Sequence, residues 1–335
     1  MIRVGIVGAS GYTGQECVRL LSAHPQVTIA HVFANRLANS STADYFNNKP
    51  DIPCTFEQFN PTQSYDIECL ILAVPHTQAH PIMSAICVHS YKVIDLSADF
   101  RLNSSETYNA TYNQEHSCKN LISKFVYGVP EIHFHAIKQA SYIANPGCFA
   151  IASILALFPL TSNEGVANVI IDAKTGVSGA GKTLDESLLY CEVNEQVRAY
   201  KTNKHRHGVE IKQECGLNVL FSPHLVPMQR GILASCYVTC NKHISKSDIV
   251  NLYKNSYKNQ PFISIKENNI MPSTKAVVRS NMCELSITQV ENNQFVIFSA
   301  IDNLIKGSAG NAIQCLNIMF NLDQEMGIPK IAERI

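Results

Sequence analysis

The sequence predicts an α/β fold in which a doubly wound parallel sheet is followed by an α+β domain with a mixed or antiparallel sheet. In the first half, short apolar runs of strand length alternate with helical patterns. These runs are continuously apolar, as strands of a parallel sheet covered on both faces must be. From about Val166 onward the strand candidates become longer, and at 335 residues the chain has the length of two domains.

The predicted strands follow one another in chain order. Those of the first half are Arg3–Gly8, Thr28–Ala34, Ile67–Val74, Lys92–Leu96 and Tyr142–Ala144, and those of the second half are Val166–Asp172, Gly231–Thr239, Ser264–Ile270, Leu285–Val290 and Gln294–Ile301. Loops are predicted over Asn47–Pro53 and Asn103–Asn120. After Gly307, apolar residues recur at helical spacing as far as Phe320. This spacing predicts a final amphipathic helix, which we expect to return to the first domain.

Composition and charge exclude several classes of protein. Lys+Arg 27 balances Asp+Glu 27, so the chain lacks the basic surplus of a nucleic-acid binder. The longest nearly uninterrupted apolar run, Phe149–Leu160, falls short of the roughly 20 residues that span a bilayer. Met1–Gly5 leads straight into a strand without a signal peptide pattern. The 12 cysteines form no Cys-x-x-Cys pair. We therefore expect a cytoplasmic protein with reduced cysteines, no membrane or nucleic-acid partner and no metal site.

A glycine-rich turn follows the first predicted strand and precedes a predicted helix. Its residues are Gly8-Ala9-Ser10-Gly11-Tyr12-Thr13-Gly14. Glycines let the backbone approach a pyrophosphate, and the helix N-terminus attracts its negative charge. In a βαβ setting this turn is typical of a Rossmann-type dinucleotide-binding domain, although the spacing G-x-x-G-x-x-G would also suit a merely tight turn.

The end of the second predicted strand favours NADP over NAD. An NAD site usually has an acidic residue here, but none occurs between Glu16 and Asp44. The strand ends instead in Ala34-Asn35-Arg36, where a guanidinium could bind a 2′-phosphate. The alternative is that Arg36 is an ordinary surface arginine.

Cys148 is the candidate nucleophile. Asn145-Pro146-Gly147-Cys148 follows a short predicted strand and precedes a helix that is apolar on every side. A helix N-terminus favours thiolate over thiol, whereas most cysteines in apolar surroundings are inert. This position therefore predicts a reactive thiolate.

The cluster Lys204-His205-Arg206-His207 is predicted to lie on one loop and to supply an acid/base partner for the thiolate. Either His205 or His207 could transfer a proton near neutral pH, and the cations could attract a carboxylate or phosphate. The alternative is a solvated basic surface.

Gly176-Val177-Ser178-Gly179-Ala180-Gly181-Lys182-Thr183 matches the Walker A pattern after a predicted strand. A P-loop nucleotidase is therefore an alternative function. It leaves Cys148 and the histidines unexplained, so we favour a small anion-binding turn in which Lys182 lines a substrate pocket.

Taken together, the motifs resemble those of the N-acetyl-γ-glutamyl-phosphate reductase family, which is related to aspartate-semialdehyde dehydrogenases. The resemblance runs nearly the full length. Its marks are Val7–Gly14, Leu72–His76, Ile94–Arg101, Tyr127–Glu131, Asn145–Cys148, Ala173–Lys182, Pro223–Gly231 and Asp302–Gly307. The histidine segment departs from the family's H-R-H-x-P-E-I by having Val209 in place of proline, which puts the rigidity of that loop in doubt.

The resemblance implies NADPH-dependent reduction of an acyl phosphate to a semialdehyde, with release of inorganic phosphate, through a cysteine thioacyl intermediate. It implies an NADP-binding domain over residues 1–147, a substrate and dimerisation domain over 148–306, and a terminal helical segment over 307–335. It also implies a homodimer or homotetramer. The further cofactor-binding residues are Asn35, Pro75, Ser178, Gly179 and Asn303, and the substrate-binding residues are Arg101, Asn145, Lys182 and Arg206.

Several alternatives to this function remain open. The same chemistry could act on aspartyl phosphate or on a carrier-bound aminoadipyl phosphate. A non-catalytic NADP-binding scaffold could also retain the fold.

Overall fold

The computed structural model describes residues 1–46, 49, 51–162 and 165–333. The chain divides into two units. The first comprises residues 1–146 and 308–328, and the second comprises residues 147–307 and the chain from 329 onward. A parallel sheet in the first unit and a mixed sheet in the second confirm the predicted α/β fold.

The described strands are β1 Ile2–Val7, β2 Val27–Phe33, β3 Cys69–Leu72, β4 Lys92–Asp95, β5 Phe125–Tyr127, β6 Tyr142–Ala144, β7 Val166–Thr175, β8 Arg198–Ala199, β9 Val219–Leu225, β10 Ile232–Cys240, β11 Ile263–Lys266, β12 Cys283–Glu291 and β13 Gln294–Ile301. The described α-helices are α1 Tyr12–Leu21, α2 Ala43–Phe46, α3 Ala79–Ile86, α4 Ser105–Tyr112, α5 Lys119–Ile122, α6 Pro130–Gln139, α7 Cys148–Leu157, α8 Tyr190–Val193, α9 His207–Cys215, α10 Lys246–Ser256, α11 Thr274–Val277 and α12 Gly310–Met319.

The sheet of the first unit has the order β2-β1-β3-β4-β6-β5, and all of its pairs are parallel. Every residue of β3 is buried, as the continuous apolar run predicted. Strand β5, at the edge, was missed because it has only three residues and two of them are partly exposed.

The prediction of a loop over Asn103–Asn120 was wrong, because α4 lies within it. Ser104 caps this helix, its Oγ accepting a hydrogen bond from Thr107 N at 3.1 Å. Tyr108 is 1% exposed and anchors the helix to the core. The other predicted loop, Asn47–Pro53, lies partly outside the described residues.

The predicted final helix is present as α12, but its amphipathic character was wrong: all ten residues are buried. The polar ones are accommodated by hydrogen bonds. Asn311 Nδ2 donates to Gly128 O at 2.7 Å, and Asn317 Nδ2 donates to Met326 O at 2.8 Å. A buried polar side chain is tolerated when its hydrogen bonds are satisfied.

The second unit is built on a sheet with the order β11-β12-β13-β10-β7-β9-β8. Two of its pairs, β7 with β9 and β11 with β12, are parallel, and the others are antiparallel. Helix α7 packs against β10 and β13 on one face. On the other face Ile170, Leu220 and Tyr237 are exposed. The sequence reasoning missed β8 and β9.

Candidate active site

Cys148 is the first residue of α7, and every later residue of that helix is buried. Cys148 itself is partly exposed. Gly147, at the N-cap, has no side chain to bond the first amides, and the first turn carries no acidic residue. The partial positive charge at the helix start therefore acts on the sulfur and favours an anion there.

His207 lies directly against the residue that precedes Cys148. A Cβ built on Gly147 would be 2.3 Å from His207 Nε2, so only glycine leaves room for the imidazole. His207 is the first residue of α9, so the expectation that it lies on a loop with Lys204 was wrong. The helix holds the backbone of His207 in a fixed position.

Glu210 joins His207 to this turn, and the sequence reasoning gave it no role. Its Oε2 accepts a hydrogen bond from Gly147 N at 2.9 Å, and its Oε1 is 3.9 Å from His207 Nε2. The carboxylate is fully buried. Since residues three apart share a helix face, a helix predicted to begin at His207 would have placed both on one side.

His205 packs against His207 and has a perturbed pKa. Its Nδ1 accepts a hydrogen bond from His207 N at 3.1 Å, and the two ring centroids are 4.5 Å apart. Burial, reinforced by Arg206 and Lys201, lowers the pKa of His205 to about 4. His205 is therefore neutral at pH 7 and is not available as an imidazolium that donates a proton. This favours His207 as the general acid.

Two further residues near Cys148 were missed. The Tyr200 ring lies 5.6 Å from that of His205, and burial followed by the charge on Cys148 raises the pKa of Tyr200. A Cβ on Gly307 would be 2.9 Å from Cys148 Cβ. Gly307 N donates to Asp302 O at 2.9 Å, which fixes this turn beside the sulfur.

Ser178, Gly179 and Asn303 are brought together in the second unit. Asn303 Nδ2 donates to Ser178 Oγ at 2.9 Å, and its Oδ1 accepts from Gly231 N at 2.7 Å. A Cβ on Gly179 would lie 3.8 Å from Asn303 Nδ2. The asparagine thus joins two turns of this unit.

The Walker-like stretch does not form a P-loop. Its central residues make a short 3₁₀ helix, Val177–Ala180, and Gly181 follows with a φ of +83°. No helix begins at Lys182–Thr183, which are exposed. A P-loop needs a helix N-terminus there to bind phosphates, so the structure gives the nucleotidase alternative no support.

The glycine turn of the first unit has a geometry that suits an anion-binding turn. Gly8 has a φ of +82°, and a Cβ there would be 2.2 Å from Ala73 O. A Cβ on Gly14 would be 2.2 Å from Gly8 O, whereas one on Gly11 would meet only that oxygen, at 3.5 Å. Gly8 and Gly14 therefore close the turn, and Gly11 leaves space at the start of α1 for an anion. Ser10, Tyr12 and Thr13 lie around that start.

Asn35 and Arg36 are exposed in a 3₁₀ helix that follows β2, and Pro75 is exposed after β3. Because these positions follow parallel strands, they lie at the carboxyl edge of the sheet, where dinucleotides bind. The residues of this unit thus fit a dinucleotide with an additional phosphate.

Arg101 is buried, and two of its nitrogens bond main-chain oxygens. Nε donates to Asn145 O at 2.8 Å, and Nη2 donates to Leu96 O at 2.9 Å. Asn145 N in turn donates to Asp95 O at 2.8 Å. Arg101 therefore holds in place the turn that leads to Cys148. By contrast, Arg206 is exposed.

The described residues contain neither a helix suited to a membrane nor a cluster suited to a metal ion. None of their helices is long and apolar enough to cross a membrane. In the same part of the chain, His, Cys, Asp and Glu side chains form no group of three or more that could hold a metal ion.

Known proteins resemble this chain along its whole length. Residues 3–140 match the semialdehyde dehydrogenase NAD binding domain, and residues 148–303 match the semialdehyde dehydrogenase dimerisation domain. N-acetyl-gamma-glutamyl-phosphate reductase from Acetivibrio thermocellus is 40% identical, and the alignment covers 98% of each chain. The reductase of the same name from Campylobacter jejuni is 39% identical, again over 98% of each chain.

Solved structures share the fold at low sequence identity. Aspartate semialdehyde dehydrogenase II from Vibrio cholerae has a TM-score of 0.71 at 15% identity, covering 96% of this chain and 99% of that one. Aspartate semialdehyde dehydrogenase from Candida albicans, solved with NADP, has a TM-score of 0.71 at 15% identity, covering 96% and 98%. The two matched domains, and 40% identity along nearly the whole chain, show that it belongs to the N-acetyl-gamma-glutamyl-phosphate reductase family of semialdehyde dehydrogenases.

Proposed function

We propose that this chain reduces N-acetyl-γ-glutamyl phosphate to N-acetyl-glutamate 5-semialdehyde with NADPH, releasing inorganic phosphate in a step of arginine biosynthesis. The arrangement that carries this proposal is Cys148 at the start of a buried helix, with His207 against Gly147 and Glu210 bonded to the same turn. This is the arrangement of a nucleophile, a base and a group that orients the base.

Covalent catalysis divides the reaction into two steps. His207 accepts the thiol proton, and the Cys148 thiolate attacks the acyl carbon. The bond from carbon to phosphate oxygen breaks, phosphate leaves, and a thioester remains on Cys148. NADPH supplies the hydride that reduces the thioester carbonyl. His207, as imidazolium, donates a proton to the thiohemiacetal oxygen, and as the carbon–sulfur bond breaks it takes that proton back, so the aldehyde leaves and the thiolate is restored.

The roles of the remaining site residues are part of the same proposal. Amides at the start of α7 stabilise the oxyanion that forms on the acyl carbon. The substrate's phosphate and carboxylate are bound by Arg101, Lys182, Arg206 and Asn145. NADP(H) is bound by the glycine turn together with Asn35, Arg36, Pro75, Ser178, Gly179 and Asn303. Residues 1–147 form the NADP-binding domain, 148–306 the catalytic domain, and 307–335 the terminal helical segment.

The reaction is tested in reverse, which avoids the labile acyl phosphate. NADPH formation is followed at about 340 nm from N-acetylglutamate semialdehyde, NADP and phosphate. Phosphate-dependent turnover of this substrate, but not of aspartate semialdehyde, is the expected result. Cys148→Ser should lower the rate by at least about a thousandfold while NADP binding persists, because serine is not ionised at neutral pH.

The assay has a control variant, and three outcomes decide between the proposed function and its alternatives. Cys191→Ser, at an exposed cysteine of α8 that has no role in the proposed reaction, should keep the wild-type rate. Turnover of aspartate semialdehyde alone would overturn the proposed substrate, and a Cys148→Ser variant with a near-normal rate would overturn the thioacyl step. A folded protein that binds NADP without turning over either substrate would support the scaffold alternative.

We also propose a homodimer formed through the open face of the second sheet. Ile170 lies beside both Tyr237 and Leu220 in the strand register, and the three side chains are 39%, 45% and 44% exposed. They form one apolar row across three strands, inside the segment that matches a dimerisation domain. A contiguous apolar row of this kind is typical of an interface, and a tetramer would pair two such dimers.

We place the reaction in the cytoplasm. All 12 cysteines are free thiols, and a reducing compartment would keep Cys148 in the state that the mechanism needs.

A further inference from the structure

Asp99 is a buried carboxylate that the proposed mechanism does not use. It is 1% exposed and follows β4 in the first unit. Its Oδ1 accepts a hydrogen bond from Thr77 N at 2.8 Å, and its Oδ2 accepts one from Ala79 N at 2.9 Å. Its Oδ1 also lies 2.7 Å from His76 Nδ1. Asp99 therefore contacts His76 and Thr77, in the segment that follows β3, and Ala79, the first residue of α3.

The segment that Asp99 binds has a backbone that needs support. Thr77 has a φ of +75°, in the left-handed region that β-branched residues avoid. Such a conformation is strained and persists only where surrounding contacts impose it. The hydrogen bond from Thr77 N to Asp99 is a contact of that kind.

Asp99 is itself held in place and charged. Asp99 N donates to Ser97 Oγ at 3.1 Å, and Ser97 Oγ donates to Asp95 Oδ2 at 2.8 Å. Burial alone would raise the pKa of Asp99, but the adjacent His76 imidazole and the hydrogen bond from Thr77 N outweigh burial and lower that pKa. The carboxylate is thus ionised, and its hydrogen bonds are of the strong, charge-assisted kind.

The segment that follows β3 lies next to the proposed binding site of NADP(H). Pro75, next to His76, is exposed at the carboxyl edge of the sheet, where the proposed function places NADP(H). Ala73, two residues earlier, closes over Gly8 of the glycine turn. A shift of this segment would therefore change the shape of the glycine turn.

We infer that Asp99 is a positioning residue for NADP(H): it holds Pro75, His76 and Thr77 in the conformation that receives the cofactor. This inference rests on the proposed function, in which Pro75 contacts the dinucleotide. Asp99 acts through the backbone and not by touching the substrate or the cofactor. Its loss should therefore weaken cofactor binding and leave the chemical step at saturating NADPH nearly intact.

The test measures the Kd of NADPH by the fluorescence of the bound nucleotide. Asp99→Asn keeps the size of the side chain but loses its charge and one acceptor, and it should raise the Kd about tenfold. The KM for NADPH should rise in parallel, with kcat at saturation within about threefold. Asp323→Asn is the matched control, because Asp323 also accepts a backbone hydrogen bond, from Glu325 N at 3.0 Å, but lies outside the site.

A second substitution separates positioning from a general loss of structure. Glycine adopts positive φ without strain, so Thr77→Gly in the Asp99→Asn background should recover at least threefold of the lost affinity. Should Asp99→Asn fail to fold, His76→Phe keeps an aromatic ring beside Tyr112 and removes the Nδ1 contact with Asp99; it should raise the Kd about threefold.

Three results would overturn the inference. These are an unchanged Kd in folded Asp99→Asn, an unchanged Kd in His76→Phe, or a loss of affinity that Thr77→Gly does not recover. A wild-type protein that does not bind NADPH would instead overturn the proposed function itself, so the two failures are distinguishable.

Discussion

Two glycines and a buried carboxylate determine what surrounds Cys148. Gly147 leaves space for the His207 ring, and Gly307 leaves space for the cysteine itself. Glu210 then bonds the Gly147 amide. The sulfur was predictable from its place before an apolar helix, because that pattern is local. Gly147 was also indicated by its place next to Cys148, whereas Gly307 and Glu210 come from segments that are distant in sequence, so no local pattern indicated them.

The pKa of His205 makes the stability of the protein depend on pH. In the folded chain this pKa is about 4, against 6.5 for an unperturbed imidazole. Between these values the unfolded state binds more protons, so the free energy of unfolding falls as the pH drops from 6.5 towards 4. From pH 7 to pH 5 the contribution of His205 should fall by about 2 kcal/mol.

Urea denaturation of wild type and His205→Gln at pH 7 and pH 5 measures this contribution. The wild type should lose about 2 kcal/mol relative to the variant at the lower pH. Lys204→Gln removes an adjacent exposed charge without removing an imidazole and should change the difference by less than about 0.5 kcal/mol. An equal gap between wild type and His205→Gln at both pH values would contradict the lowered pKa.

The glycine turn between β1 and α1 shows how one short segment combines folding and binding. The sequence predicted the turn from three equally spaced glycines, but it did not distinguish among them. In the structure a Cβ on Gly8 or Gly14 would clash with backbone atoms, while one on Gly11 would make only an ordinary contact with Gly8 O, at 3.5 Å. The three positions have different functions because only two of them lie where β1, β3 and α1 approach closely.

Alanine at Gly14 and at Gly11 should therefore differ in effect. Gly14→Ala places a methyl group 2.2 Å from Gly8 O, so the backbone must move, and we expect a loss of about 3 kcal/mol in unfolding free energy. Gly11→Ala meets only an ordinary contact and should fold within about 1 kcal/mol of wild type. Thermal melts with and without NADP measure the loss of stability in each variant. Equal melting temperatures for the two variants would refute the packing argument.

Each of the two units of the protein is built on its own sheet. The first unit presents a parallel sheet with the dinucleotide-type turn, and the second presents a mixed sheet with one open face. On that face Ile170, Leu220 and Tyr237 form an exposed apolar row, and contiguous apolar surface is typical of an interface. The proposed dimer would cover it.

Tyr237→Lys places a charge at one end of this row and should shift the protein from twice the chain mass to the chain mass of 37.0 kDa. Light scattering after size-exclusion chromatography measures the change. Val88→Lys is the matched control, because Val88 is 81% exposed but lies in the first unit. A monomeric wild type, or a Tyr237→Lys variant that stays dimeric, would contradict the proposed interface.

The sequence by itself determined the fold class, the glycine turn and the place of Cys148 before a buried helix. Each depends on patterns within a short stretch of chain: apolar runs, turn residues and helix starts. Only the tertiary structure decided that His207 and not His205 lies against Gly147, that Glu210, Tyr200 and Gly307 surround the cysteine, and that Asp99 holds the Pro75 segment. These contacts join residues far apart in the chain, where burial, steric fit and hydrogen bonding act between elements that the sequence does not place side by side.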